Sequence, residues 1–167
     1  MSLKHALLSL LIRKSMTGYE ISKTADESIG FFWRATHQQI YKELGNMEKV
    51  GWLRYQDIPQ DERPDKKIYS ITKSGLSELK QWIATETEAY PSKNAFLIKL
   101  FSGDLVAPEL LMEDLTKQKE VRLNRRKKYK EIENTYFKNV DSLPTEAQYQ
   151  YLTLRYGIKF EETWLSW

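Results

Sequence analysis

The residues best suited to do chemistry sit together in THQQIYKEL, residues 36–44, where His37, Gln38 and Gln39 are followed by Tyr41 and Lys42. The set contains no nucleophile beside a base; it is a row of hydrogen-bond donors and acceptors. Gln can bond adenine bidentately, Lys can reach guanine or phosphate, and the Thr36 and Tyr41 hydroxyls can donate to phosphate oxygens. Such a row suits recognition of a polar polymer through hydrogen bonds, without covalent chemistry, and equally suits an ordinary solvated helix face. No phosphate-cradling glycine loop, nucleophile elbow, HExxH or paired catalytic group occurs, so no enzyme is expected. With no Cys and only His5 and His37, neither a thiolate nor an imidazole metal site is expected, and no cofactor.

Placing these side chains requires helices, and the sequence marks where they start. In a capping box a Ser or Thr caps the NH three residues on, and a Glu or Gln there reaches back. Thr17 with Glu20 and Thr36 with Gln39 fit it, each with a flanking apolar staple, Met16 with Ile21 and Ala35 with Ile40. Thr72 marks a third start without the acid, with Ile71 and Leu76 as its staple. Helices are expected near 3–13, 17–29, 37–50 and 73–88. Gly51 should close the third in a left-handed cap that returns Trp52 towards Met47. WLRYQDI and KKIYSIT, separated by PQDERPD, predict a β-hairpin over 52–71. Helices, hairpin and a further helix, in that order, make a winged helix-turn-helix.

Helix periodicity then divides the faces. At 100° per residue, Ile40, Leu44 and Met47 make the core stripe of the third helix, and Gln38, Lys42, Gly45 and Lys49 lie opposite. Gln39 and Tyr41 flank that outer face, and His37 projects nearer the core side. In the second helix Ile21, Ala25 and Ile29 face inward and leave Tyr19 and Lys23 outside, near an N-terminus whose NH groups favour phosphate. In a helix-turn-helix the first helix crosses the backbone and the start of the second reads base edges in the major groove. Arg63, Pro64, Lys66 and Lys67 of the hairpin suit a phosphate or minor-groove contact, although Asp61, Glu62 and Asp65 also allow a turn of locally paired charges.

The formal net charge is only +3, from 26 Lys+Arg against 23 Asp+Glu, so placement matters more than amount. The densest run, RLNRRKKYK over 122–130, would point all round a helix and is left unassigned. LKHALLSLLI is too short to cross a bilayer, which takes about 20 residues, and Arg13 and Lys14 stand where a signal peptide would be cleaved. It reads as a core helix, and the protein as cytoplasmic with no membrane partner.

Beyond residue 88 a short helix, NAFLIKLF, is expected to stop at Gly103. A long helix should open at Pro108 and run to about 139, and a last one should run from about 144. Tyr151, Leu154, Ile158 and Leu165 make one apolar stripe on the last helix; Tyr149, Leu152, Tyr156, Phe160, Trp164 and Trp167 make a second. A helix apolar over so much of its circumference needs two partners. The preceding long helix can cover one stripe and a second subunit the other, which predicts a two-fold homodimer, with a fully intramolecular core as the other reading.

HALLSLL, TGYEI, SIGFFW, THQQIYKELGNMEKVGWL, RPDKKIYSITKSG and FLIKLFSGD, in this order, resemble the PadR family of bacterial transcriptional regulators. Within it the chain looks closest to the group of the virulence-gene activator AphA. The resemblance implies a mostly α fold with a small β-hairpin wing. Residues 1–88 would form a winged helix-turn-helix DNA-binding domain and 89–167 a helical dimerisation domain, together binding a partly palindromic double-stranded operator. The matching DNA-contact positions are Tyr19, His37, Gln38, Gln39, Tyr41, Lys42, Arg63, Pro64, Lys66 and Lys67; Lys23 and Thr36 join them from the residue reading. Some relatives bind phenolic acids or flat hydrophobic drugs between domains or subunits. That implies an alternative role, the sensing of a planar aromatic effector near the dimer interface.

Overall fold

The computed structural model describes residues 3–33, 35–59, 66–87 and 93–167. The chain divides into two compact units, Met1–Ala89 and Tyr90–Trp167. Unit 1 holds helix α1 (Leu3–Leu11), strand β1 (Met16–Thr17), helices α2 (Gly18–Glu27) and α3 (His37–Lys49), strands β2 (Leu53–Ile58) and β3 (Lys66–Ile71), and helix α4 (Lys73–Ile83). Unit 2 holds α5 (Ala95–Phe101), α6 (Pro108–Tyr136) and α7 (Thr145–Ser166).

Both expected capping boxes form. Thr17 Oγ1 accepts from the Glu20 N–H at 3.2 Å while the Thr17 N–H donates to the Glu20 carboxylate at 2.8 Å. Thr36 and Gln39 repeat those bonds at 3.2 and 2.8 Å with a neutral side chain. Glu20 is held below the ordinary carboxylate range by the Thr17 backbone N–H, then by its hydroxyl. Gly51, at φ +74°, ends α3 in the left-handed cap, and the Trp52 N–H reaches the Met47 carbonyl at 2.9 Å.

The sheet is one strand larger than a hairpin. Its order is β1-β3-β2, antiparallel throughout, with Met16 opposite Tyr69 and Tyr55 opposite Tyr69 on the other side. Residues 16 and 17, expected only as a staple and a cap, therefore also add a strand, and Met16 packs its thioether into the core. The helices are shorter than expected: α1 ends at Leu11, α2 at Glu27, α4 at Ile83 and α6 at Tyr136. Gly75 explains how α4 joins the sheet, because a Cβ there would lie 2.3 Å from the Trp52 carbonyl oxygen. Thr72 secures the joint: its hydroxyl accepts from the Gly75 N–H and donates to the Gly51 carbonyl at 2.7 Å.

One core ties unit 1 together, from Leu7, Leu8 and Leu11 of α1 through Met16, Ile21 and Ala25 to Ile40, Leu44, Met47, Leu53, Tyr69 and Leu79. Each fully buried Leu or Ile there stabilises the fold by about 1.5–3 kcal/mol. In unit 2, α7 folds back along α6. Glu161, 2% exposed, meets Arg122 at 3.1 Å and Arg125 at 3.6 Å, and Tyr129 packs against Gly157. Glu133 accepts from Lys130 and from the Tyr151 hydroxyl, each at 3.0 Å. Among the described residues no helix is long and apolar enough to cross a membrane.

Candidate nucleic-acid and subunit interfaces

In α3 the three core positions are all sealed, Ile40 at 1%, Leu44 at 0% and Met47 at 1% exposure, so the opposite face is free of any packing duty. Gln38 and Lys42 are exposed on it, and around Gly45 a Cβ would meet nothing within 4 Å. Gln39 is exposed too, but its amide oxygen is already engaged by the cap. Tyr41 lies over the start of α2, where a Cβ on Gly18 would come 2.4 Å from its ring. The glycine thus lets the two helices of the motif approach with the Tyr41 ring between them.

His37 does not lean into the core. Its side chain is 62% exposed, with Nε2 3.7 Å from the Asp26 carboxylate at the end of α2, because α3 begins at His37 and the core does not extend that far. Tyr19 is 66% exposed at the α2 N-terminus, and Lys23 lies in loose reach of Glu27 at 4.0 Å. Tyr19 and Lys23 thus stand exposed on α2, and Gln38, Gln39, Tyr41 and Lys42 on α3, with Thr36 at its N-cap.

The wing contributes Lys66 and Lys67 at the start of β3; Arg63 and Pro64 lie outside the described residues. The Lys67 ammonium sits 3.7 Å over the centre of the Tyr55 ring, and Tyr55 in turn tilts against Tyr69 at 6.2 Å. Tyr55 was not singled out from the sequence, since its meeting with Lys67 depends on the register of two strands. Burial pushes the Tyr69 phenol up, with the Lys67 charge offsetting part of that.

Part of the basic run 122–130 is used within unit 2, while Arg126, Lys127 and Lys128 stay exposed. Arg122 and Arg125 hold Glu161, Tyr129 is buried, and Lys130 pairs with Glu133 and Glu162. The two α7 stripes separate as well. Ile158 is buried on α6 with Tyr151, Leu154 and Leu165 half-buried, whereas Tyr149, Leu152, Tyr156, Phe160 and Trp167 are 49–72% exposed. Trp164 departs from its stripe: it is half-buried under the Arg122 guanidinium, 4.9 Å from its ring. Leu97, Ile98, Phe101 and Leu105 around α5 are exposed too, Phe101 at 90%. The sequence does not mark them as interface, because seven residues of helix are too few for a stripe to stand out.

Known proteins bear directly on these two units. A family model described as the transcriptional regulator PadR-like family matches residues 7–81, and one described as virulence activator alpha C-term matches 92–167. Over its whole length the chain is also similar to a probable transcriptional regulator of Mycobacterium tuberculosis, at 38% identity over 180 residues that span 100% of this chain and 94% of that one. The chain belongs to the PadR-like family of transcriptional regulators. Its fold matches the Vibrio cholerae virulence activator AphA at a TM-score of 0.78 and 32% identity, over 99% of this chain and 93% of that one. It matches Bacillus subtilis PadR in complex with operator DNA at 0.83 and 27%, over 99% and 94%. The same relative in complex with p-coumaric acid matches at 0.76 and 25%, over 99% and 90%.

Proposed function

We propose that this family member is a sequence-specific DNA-binding regulator that acts as a homodimer in the cytoplasm and catalyses nothing. The observation that carries the reading is the polar face of α3, with Gln38 and Lys42 on the side that Ile40, Leu44 and Met47 leave free. Helix 37–49 enters the major groove, with Gln38 and Lys42 at base edges and Thr36, Tyr41 and Tyr19 on phosphates. Segment 59–67 meets the backbone or minor groove, and Lys23 and His37 donate to phosphates at the edge of the contact. The relative solved with operator DNA supports the same use of this fold. The open stripe of α7, with Tyr149, Tyr156 and Phe160, meets its equivalent in a second copy, so the operator is partly palindromic.

Selection of duplexes from a random pool tests this reading. An enriched two-half-site sequence is expected, and Gln38→Ala should relax preference at one base position by about 1–3 kcal/mol. Recovery of random sequence would overturn the reading.

A second reading, that unit 2 also senses a planar aromatic molecule, is favoured by one recess. It measures about 320 Å³ and is lined by Val140, Asp141, Gln148, Tyr151, Leu152 and Arg155, a ring to stack on beside a guanidinium for an acid. The relative solved with p-coumaric acid supports an effector of that class. Tryptophan fluorescence should respond to phenolic acids and lose the response in Arg155→Ala; a flat titration of the parent chain would remove the effector from the proposal.

A further inference from the structure

The two wing lysines are neighbours in sequence but occupy opposite faces of the sheet. Side chains alternate along a strand, so Lys67 shares a face with Tyr69 and Ile71, while Lys66 shares the other with Ile68 and Ser70. Tyr69 is 7% exposed, so its face is the one turned to the core and to α3. Glu48 and Tyr41 of α3 act electrostatically on that phenol. Lys67 lies one alternation further out on the same face, past the edge of the core, and Tyr55 of the adjacent strand lies diagonal to it. Each lysine feels one carboxylate, Lys66 that of Glu20 at the start of α2 and Lys67 that of Glu48 on α3, so what sets Lys67 apart is the ring beside it.

Cation and ring are placed for mutual attraction. An ammonium within about 6 Å of a ring centre is drawn to its face, and here the separation is 3.7 Å. Lysine otherwise loses much side-chain freedom when a phosphate immobilises it. An ammonium already held on a ring has surrendered part of that freedom before DNA arrives. Tyr55 itself is held by Tyr69, at 6.2 Å, which anchors it to the core.

We propose that Tyr55 is a positioning residue for DNA binding, its ring holding the Lys67 ammonium on the sheet face turned to α3, so that Lys67 and not Lys66 is the preorganised phosphate contact of the wing. The inference rests on the DNA-binding reading above and deepens it. Equilibrium binding of the full chain to a selected duplex and to random-sequence duplex, over a range of salt, tests it in a double-mutant cycle. Tyr55→Leu should weaken both complexes by about two- to fivefold, and should have no effect when Lys67→Ala is already present. Its effect should persist undiminished beside Lys66→Ala, and Tyr55→Phe, which keeps the ring face, should bind as the parent does.

Lys67→Ala alone should flatten the slope of log K against log salt by roughly 0.9. Equal weakening by Tyr55→Leu with and without Lys67 would show that the ring acts through the sheet itself, and would overturn the proposal. So would a silent Tyr55→Leu beside a Lys67→Ala that flattens the slope, an outcome that leaves DNA binding standing. A parent chain that binds no duplex even at low salt would end both readings. Thermal unfolding accompanies each variant; if Tyr55→Leu lowers the midpoint, Tyr55→Val, with its strand-favouring branch, repeats the cycle.

Discussion

Unit 1 closes on itself and unit 2 does not. Leu7, Leu8, Ile21, Ile40, Leu44, Met47 and Leu79 of unit 1 are each at most 1% exposed, whereas the buried apolar residues of unit 2 among those described are Phe96, Tyr129 and Ile158. Unit 2 is joined instead by charge at the Arg122–Glu161–Arg125 triad and by rings, and it leaves Phe101, Tyr149 and Tyr156 open. A hydrophobic core stabilises a fold at any concentration, while an open apolar face gains its stability only from what covers it. The difference teaches what each unit leaves open: in unit 1 the face of α3 opposite the core is polar, and in unit 2 the stripe of Tyr149, Tyr156 and Phe160 is apolar.

The sharpest way to test the contrast is to cut the closed core. Leu44→Ala should lower stability by about 2–5 kcal/mol, with a chemical-denaturation midpoint whose shift does not depend on protein concentration. A concentration-dependent shift would mean that unit 1 too relies on association. Tyr156→Glu addresses the open face, where Tyr156 is 72% exposed and stacks on Phe160. Loss of an interface aromatic and gain of a charge should weaken the proposed dimer by about 2 kcal/mol or more, seen by sedimentation, with far-UV circular dichroism unchanged. An unaltered sedimentation coefficient would place the subunit contact elsewhere.

Glu161→Gln comes next. It leaves two guanidiniums facing each other without their shared carboxylate, and Glu161 has only 3% of its side chain exposed. A loss of about 1–3 kcal/mol is expected, less than for a fully buried pair because Arg125 is 29% exposed. Thermal unfolding would measure it, and no change would mean the triad adds nothing over its hydrogen bonds.

The smallest effect concerns the two capping boxes. Glu20 has a folded pKa below its ordinary value of 4.5, so its contribution is complete above that value and is lost as pH falls through the depressed one. Glu20→Gln should therefore cost under about 1 kcal/mol at neutral pH and flatten the acid limb of the stability profile. The α3 box closes through Gln39, which does not titrate, so Gln39→Ala should shift stability equally at every pH. A steep acid limb surviving in Glu20→Gln would assign that limb to other carboxylates.

The family resemblance and the helix-hairpin-helix order were legible because their signals are local. Thr17 with Glu20, and Thr36 with Gln39, are three residues apart, and the core stripe of α3 spans two turns of one helix. The split of α7 into two apolar stripes was legible for the same reason, although not the position of Trp164, which turns on an arginine from another helix. The loss of His37 from the core side was not legible either, since periodicity gives a direction without saying where the core ends.

By itself the sequence determined the helix starts, the turn at Gly51, the outward face of Gln38 and Lys42, and the family. These follow from bonds and periodicities within a few residues, which hold whatever the rest of the chain does. Only the tertiary structure decided that Met16 and Thr17 form a strand, that Tyr55 lies under Lys67, and that Arg122 and Arg125 of the basic run hold Glu161, 39 positions from Arg122. Each of these depends on which distant segment arrives alongside. Strand register and helix docking are set by the whole core, and no local pattern records them.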